Sequence, residues 1–321
     1  MTAFIFRRIL QVIPLLIGIT FITFAIVNAV GSPLAEFEFN PRMSAEDIER
    51  IKDNLGLNEP FHERYFIWAS NVLRGDLGLS LVNSTPVLDR IVNVLPNTLL
   101  LSATSFFLAL FIAIPLGVYS AVKRNSLFDN VTTVGTVAVF AIPSFWLGLL
   151  LLILFAVKFQ EWGFPSLPVG GMREQRGESG LWDRIEHLIL PSISLALVQL
   201  ASWTRYIRSS MLEVIRQDYV RTANAKGLRD RAVIFGHAFR NALLPLVTLL
   251  GLSVPDLLAG SIFIEQIFAW NGMGRLLLDA VNDSDYTVIM GITLMFSLLT
   301  ILGNLLADVM YAVLDPRIRY D

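Results

Sequence analysis

Apolar positions fall in six runs without a charged residue, separated by polar and charged segments. A helix that crosses a bilayer needs about 20 mostly apolar residues, and lipid offers the backbone no hydrogen-bond partner, so each such run must be helical. The fifth run reaches this length if it continues through Asp256, and the fourth, over 187–204, is the shortest. The pattern therefore predicts six membrane-spanning helices, within 9–35, 91–122, 130–157, 187–204, 241–264 and 286–307.

The composition agrees with an integral membrane protein. Of the 321 residues, 54% are hydrophobic and 16% are charged, whereas a soluble domain has roughly 25% charged residues. There is no cysteine, which excludes disulfides, thiolate metal sites and a cysteine nucleophile. The histidines, His62, His187 and His237, are too scattered to suggest a ligand set, so we predict no metal site.

The distribution of Lys and Arg predicts the orientation. With the amino terminus inside, the inner segments 1–8, 123–129, 205–240 and 314–321 hold 14 Lys or Arg and 6 Asp or Glu. The outer segments 36–90, 158–187 and 266–285 hold 11 Lys or Arg and 18 Asp or Glu. Cytoplasmic loops of membrane proteins carry an excess of Lys and Arg. Both termini are therefore expected in the cytoplasm.

The first run has an alternative interpretation as a cleaved signal peptide. Arg7 and Arg8 supply a positive start, and Val27-Asn28-Ala29 resembles a weak cleavage site. The apolar run is longer than the ~7–15 residues of such a signal. We therefore expect it to be retained as a transmembrane helix.

Six prolines lie in or at the edges of the predicted spans. A proline removes a backbone donor and bends a helix. They are consistent with ordinary curvature or with hinges of a pore that opens alternately to each side. They are Pro14, Pro115, Pro143, Pro191, Pro245 and Pro255.

The outer segment 36–90 is polar and acidic and contains two helical patterns. Ser44 can cap a helix on which Ile48, Ile51 and Leu55 share one face. A second amphipathic helix is indicated by Tyr65, Phe66, Trp68, Ala69, Val72 and Leu73. These patterns predict a small extracytoplasmic helical cap. We divide the chain into an amino-terminal transmembrane helix (1–35), this cap (36–95) and a core of five transmembrane helices (96–321).

A charged, helix-prone segment lies between two of the spans. The pattern over 211–228 predicts a helix followed by a break, because Ala223 and Ala225 are small and Gly227 permits a left-handed backbone. A short surface helix of this kind can lie in a groove of another protein, with Arg221 and Lys226 at the rim. On composition alone, a basic loop that only sets topology is the favoured explanation of the segment.

The order and spacing of residues 218–245, from Asp218-Tyr219-Val220-Arg221 through Gly227 to Leu243-Leu244-Pro245, resemble the cytoplasmic coupling loop of ABC importer permease subunits. The nearest likeness is to the dipeptide, oligopeptide and nickel branch. Two departures from the general signature, Arg221 at a usually acidic position and a longer gap from Gly227 to Pro245, are shared with that branch. Residues 257–276 and 308–320 and the Arg74-to-Ser80 stretch resemble the same branch, so the resemblance covers nearly the whole chain.

The resemblance implies an all-α polytopic fold of the type I ABC importer permease class, in the inner or plasma membrane of a bacterial or archaeal cell. The implied partners are a second homologous permease subunit, two ATPase subunits and an extracytoplasmic substrate-binding protein in a lipid bilayer, without nucleic acid. The chain itself is expected to bind no cofactor, since ATP and Mg would be held by the ATPases, and it lacks the Gly-x-x-x-x-Gly-Lys-Ser/Thr loop. The implied contacts with the ATPase are Arg221, Thr222, Ala223, Ala225, Lys226, Gly227 and Leu228.

Three carboxylates lie in or near the last two spans, where a charge is costly unless paired or hydrated. We expect Glu265 and Asp308 to make helix-end hydrogen bonds or ion pairs. Asp256 is the deepest, and we hypothesise that it lines the translocation pathway with Ser253. The short segment 272–281, with Met273, Leu276 and Leu277, is a candidate outer gate helix, although a plain interfacial helix fits equally well.

The predicted function is one half of the pathway of an ATP-driven importer for dipeptides, oligopeptides or a related peptide or nickel chelate, without its own ATPase site. Two other functions remain open. An ion-coupled secondary transporter would use the buried carboxylates, although the inverted repeats of many such proteins are not evident. A non-transporting membrane scaffold would form complexes without moving a substrate.

Overall fold

The structure is a computed structural model that describes residues 2–30, 46, 52, 58–173, 180–243, 246, 249–250 and 253–314, without the side chains of 2–9, 30, 254, 256, 260, 307 and 309–314. Helices dominate, and the described residues contain no strand beyond an isolated bridge between Leu79 and Pro86. The main helices are α1 (Thr2–Val30), α2 (Phe61–Leu73), α3 (Val87–Val122), α4 (Leu127–Ala141), α5 (Ser144–Leu152), α6 (Leu181–Val214), α7 (Asp218–Ala225), α8 (Val254–Ile267), α9 (Met273–Asn282) and α10 (Tyr286–Leu314).

The all-α membrane class predicted from the sequence is confirmed. Within the described residues, five helices are long and apolar enough to cross a bilayer. They are Leu10–Ala29, Val87–Val122, Ser144–Glu161, Leu181–Val214 and Tyr286–Leu306. The fifth predicted span, 241–264, is only partly described, so the count of six stays a prediction.

The predicted continuous helix over 130–157 is wrong. Helix α4 ends at Ala141, and Ile142 and Pro143 are extended, with ψ angles of 129° and 140°, before α5 begins at Ser144. Proline has no N–H to donate and disfavours the helical conformation at the residue before it. After α5, a π-helical stretch over Ile153–Lys158 leads into a last turn at Phe159–Glu161.

Helix α6 is longer than the predicted fourth span. It covers 34 residues and contains Pro191 without ending there. On its carboxyl-terminal side it continues through Arg205 and Arg208 to Val214, four residues before α7. The apolar run thus marked only the middle of this helix.

Residue contacts divide the chain into two units, of which the first comprises 1–96 and 276–301. Helix α2 confirms the amphipathic helix predicted from Tyr65 to Leu73. Phe24 of α1, Tyr65 and Met290 form a buried cluster in this unit, and Trp68 packs against it. The other helix predicted in the outer segment, at 44–55, lies outside the described residues, and the division into 1–35, 36–95 and 96–321 stays a prediction.

A buried carboxylate, Asp285, forms a network of hydrogen bonds within the first unit. Asp285 is 1% exposed and accepts a hydrogen bond of 2.5 Å from Ser80 Oγ. Its Oδ1 accepts from the backbone N–H of Leu81 and of Val288, at 3.1 and 3.3 Å, so it also caps the start of α10. The Arg90 guanidinium lies 3.3 Å from its Oδ2 and balances the charge.

The second unit comprises 97–275 and 302–321. Its largest cluster joins α3, α6 and the segment after α6, with Trp203, Ile207 and Met211 fully buried. Gly117 of α3 lies directly against α6, because a Cβ there would be 2.8 Å from Ile207 Cβ. Small residues let membrane helices approach closely, so α3 and α6 form a tight pair that leads towards α7.

Candidate functional site

Helix α7 is a short helix set off from α6 by a brief extended break. Gln217, at its amino-terminal end, has a ψ of 148°, and Asp218 follows in the first turn. An acidic residue there interacts favourably with the helix dipole. Thr222 Oγ1 donates to the carbonyl oxygen of Asp218 at 2.9 Å. The single helix predicted from residue 211 is therefore wrong, because α6 ends at Val214 and α7 begins only at Asp218.

Gly227 ends α7 in the left-handed conformation expected for it. Its φ is +75°. The Gly227 N–H donates to the carbonyl of Asn224 at 2.9 Å and that of Leu228 to Ala223 at 3.4 Å, which is the paired pattern of a Schellman motif. This geometry turns the chain away and defines where the helix stops.

Helix α7 has an inward and an outward face. Val220 and Ala223 are 2% and 6% exposed and pack in the cluster that includes Met211, Val233 and Ala238. The other residues assigned to the ATPase contact are exposed. Ala223 is thus removed from the contact set, because its side chain lies in the chain's own core. We use "coupling surface" for Arg221, Thr222, Ala225, Lys226, Gly227 and Leu228.

The coupling surface is positively charged. Arg221 lies 3.6 Å from Asp218, and both side chains are largely in solvent. An exposed pair of this kind contributes little to stability and does not fix the side chain. This ion pair therefore does not hold the Arg221 side chain in one position.

A buried ion pair that the sequence analysis does not predict connects the first turn of α4 to α6. Asp129 is fully buried, and Arg208 Nε and one terminal nitrogen donate to its two oxygens at 2.5 and 2.8 Å. Asp129 Oδ2 also accepts from the Asn125 N–H at 2.9 Å, and Ser126 Oγ caps α4 by accepting from the Asp129 N–H. The Ser-x-x-Asp spacing of Ser126 and Asp129 is typical of a helix start and could have predicted the cap. Nothing local in the sequence predicts the pairing with Arg208, which is 79 positions away.

Glu265 holds the start of α9. Its carboxylate is buried and accepts hydrogen bonds from Thr98 Oγ1 at 2.7 Å and from the backbone N–H of Gly274 and Arg275 at 2.7 and 3.1 Å. Thr98 Oγ1 in turn accepts from the Met273 N–H at 2.7 Å. The expected helix-end hydrogen bonding of Glu265 is thus confirmed, but at the amino-terminal end of the following helix. For Asp308 it stays a prediction.

Two glycines make this arrangement possible. A Cβ on Gly272 would collide with the Glu265 carboxylate, and one on Gly274 would collide with the backbone of Ile262. The turn before them is fastened by Asn97, whose carbonyl accepts from Trp270 Nε1 at 3.0 Å. The amino-terminal end of the candidate gate helix is therefore fixed in place.

The residues proposed for the pathway and the gate have different environments. Ser253 is 5% exposed, accepts from Trp203 Nε1 at 3.3 Å and donates to the carbonyl of Leu249 at 2.8 Å. The side chain of Asp256 lies outside the described residues. Met273 and Leu276 are buried, and Leu277 is half-buried.

Comparison with known proteins agrees with this architecture. A family model described as "Binding-protein-dependent transport system inner membrane component" matches residues 113–320. A second, for the amino-terminal part of such membrane components, matches residues 1–104. Together they cover nearly the whole chain.

Several curated relatives match over their full length. The oligopeptide transport system permease protein AppB of Bacillus subtilis is 44% identical, with all of both chains covered. The dipeptide transport system permease protein DppB of Escherichia coli K12 is 40% identical over all of this chain and 99% of that protein. The glutathione transport system permease protein GsiC of Escherichia coli O6:H1 is 38% identical, with both chains fully covered.

A solved structure of an amino acid ABC transporter with histidines matches 70% of this chain and 94% of its own, with a TM-score of 0.51. At 15% identity, this likeness establishes the fold alone. The family models and the relatives establish more. The chain therefore belongs to the family of binding-protein-dependent transport system inner membrane components, the permease subunits of ABC importers.

Proposed function

We propose that this chain forms half of the translocation pathway of an importer for short peptides. The observation that carries the proposal is full-length similarity to permeases named for oligopeptides, dipeptides and glutathione. All three ligands are built from peptide bonds. A related cargo such as a nickel chelate is the alternative within the same branch.

The proposed energy source is a pair of separate ATPase subunits that dock on the coupling surface. The chain has no phosphate-binding loop of its own. Its role in this proposal is to change conformation when the ATPase subunits move. Val220 and Ala223 join α7 to the cluster of α3 and α6. A push on α7 would therefore move packed helices, which respond by switching between discrete arrangements.

The remaining parts follow the same scheme. A second, similar permease subunit completes the pathway, and a substrate-binding protein delivers cargo on the extracytoplasmic side. Both termini and the coupling surface face the cytoplasm. Ser253 and Asp256 lie along the path, and Met273, Leu276 and Leu277 belong to a gate helix whose start is held by Glu265.

Purification in mild detergent and reconstitution test this proposal. We expect an ATPase and a second permease to co-purify, and peptide uptake into vesicles to require ATP and the binding protein. Uptake that survives ATP depletion but stops when an ion gradient is collapsed would favour a secondary transporter. A stable complex that moves no peptide would favour a scaffold.

A further inference from the structure

Helix α2 packs against the middle of a membrane span. The Tyr65 hydroxyl lies 2.9 Å from Thr20 Oγ1 and 3.2 Å from the carbonyl oxygen of Ile17. The Tyr65 ring makes edge contacts with Phe21 and Phe24, with centroids 5.2 and 5.6 Å apart. Tyr65 is buried and its contacts are directional, so they fix the height of α2 along α1.

That height lies within the hydrocarbon region. The apolar span of α1 is Leu10–Ala29, and 20 helical residues extend about 30 Å, which is the thickness of a bilayer core. Thr20 is at the middle of this span. Phe24 is five residues before its end, or about 7 Å along the axis. A helix attached at Thr20 and Phe24 therefore lies below the level at which α1 leaves the lipid.

Helix α2 exposes large apolar side chains, next to the exposed polar residues Glu63 and Ser70. Phe66, Ile67 and Leu73 are 68%, 50% and 88% exposed, and Phe66 and Leu73 are two turns apart on one side of the helix. Helix α1 exposes Ile22 and Ile26 at the same height, at 59% and 57%. The apolar surface of α2 thus continues that of a span whose solvent is lipid.

The Arg64 side chain reaches towards the end of the span. The Arg64 guanidinium bonds Asn28 Oδ1 at 2.5 Å, and Asn28 is one residue from the end of the apolar segment. A long cationic side chain that buries its stem and brings its charge to the interface behaves in this way. His62 and Glu63, at the amino-terminal end of α2, are exposed.

We infer that α2 is a lipid-embedded amphipathic helix in the leaflet at the carboxyl-terminal end of α1, and that Phe66, Ile67 and Leu73 contact acyl chains. Interfacial helices bury their apolar face about 5–10 Å into the boundary between headgroups and acyl chains. The Phe24 contact lies at that depth, and the Tyr65 side chain reaches deeper, to Thr20. Residues 61–73 are then a membrane anchor for α1 and not part of an aqueous cap.

Spin labels on single cysteines test this inference, because the chain has no cysteine of its own. Phe66→Cys and Leu73→Cys are prepared in the complete complex, with cysteine-free partner subunits, in lipid vesicles. Collision of each label with oxygen, which concentrates in lipid, is compared with collision with a nickel chelate dissolved on both sides. Ile22→Cys is the lipid reference, and Arg229→Cys, in an exposed part of the loop after α7, is the aqueous reference.

We expect the oxygen-to-nickel ratio at Phe66→Cys and Leu73→Cys to equal that at Ile22→Cys and to exceed that at Arg229→Cys. A ratio like that of Arg229→Cys would place α2 in water and overturn the inference. Labels shielded from both reagents would show that a protein subunit covers this face, which overturns it equally. All four sites are exposed, but Phe66→Cys removes an edge contact with the Tyr65 ring, so Leu73→Cys, which has no such ring contact among the described residues, is the decisive site.

Discussion

At the scale of single residues, Gly227 is needed for its backbone conformation, while the space around it would accept a larger side chain. Its φ is +75°, yet a Cβ would meet nothing within 4 Å. An L-residue in the left-handed region costs roughly 1–2 kcal/mol. The end of the coupling surface therefore depends on backbone freedom at this position and not on space.

We predict that Gly227→Ala weakens the link between ATP hydrolysis and peptide uptake in reconstituted vesicles, because the end of α7 is displaced. Gly227→Asn should retain more coupling, since asparagine tolerates the left-handed region. Gly236→Ala is the matched control, because Gly236 also has open space around it but a φ outside the left-handed range. Unchanged peptides moved per ATP in Gly227→Ala would contradict the assignment.

Glu265 gives a second prediction at this scale. In Glu265→Gln, an amide nitrogen replaces one acceptor oxygen while Thr98, Gly274 and Arg275 still present donors. A buried donor without an acceptor costs about 1–3 kcal/mol. We expect a lower thermal unfolding temperature in detergent and faster hydrogen exchange at the amides of residues 273–275.

Glu161→Gln is the control for this substitution. Glu161 is 52% exposed in its side chain and pairs with Lys158 at the surface, so its loss should change stability by less than about 1 kcal/mol. Equal unfolding temperatures for the two variants, with equal exchange at 273–275, would show that Glu265 does not fasten α9.

At the scale of elements, local signals were predictable and distant ones were not. The helix end at Gly227 and the amphipathic helix from Tyr65 to Leu73 depend on neighbouring residues. The sequence therefore predicts both, and the structure has both. Pro143 by itself predicts a break, whereas the long uncharged run around it predicts one continuous span. The structure has the break. The contact of Glu265 with Thr98, 167 positions away, has no local signature, because tertiary packing alone creates it.

The two faces of α7 give a prediction at this scale. The inward Val220 and Ala223 and the outward Arg221 and Ala225 alternate along the helix. If the ATPase docks on the coupling surface, Arg221→Cys and Ala225→Cys should form cross-links to cysteines placed in the ATPase groove, and Val220→Cys and Ala223→Cys should not. Cross-linking is measured by the shift of the joined chains on a denaturing gel.

The expected dependence on position is what makes this test specific. Cross-links at all four positions would indicate that α7 leaves its cluster in the complex. Cross-links only at Val220→Cys and Ala223→Cys would mean that the helix docks by its other face. Either result would contradict the coupling surface as defined.

At the scale of the whole molecule, the orientation in the membrane connects the coupling surface with its energy source. ATP is consumed in the cytoplasm, so a coupling surface on the extracytoplasmic side of the membrane could not contact the ATPase subunits. The prediction depends on Lys and Arg in short loops, above all the eight basic residues of 205–240.

We predict that a membrane-impermeant maleimide labels Leu181→Cys in right-side-out vesicles and Arg229→Cys only in inside-out vesicles. Leu181, at the start of α6, is 80% exposed and belongs to a predicted outer segment, whereas Arg229 is exposed just after the coupling surface. Labelling after detergent lysis controls for intrinsic reactivity of each cysteine. One long helix, α6, separates the two sites along the chain. If Leu181→Cys were labelled only in inside-out vesicles and Arg229→Cys in right-side-out vesicles, the orientation would be the reverse of the predicted one, and an ATPase could not dock on α7.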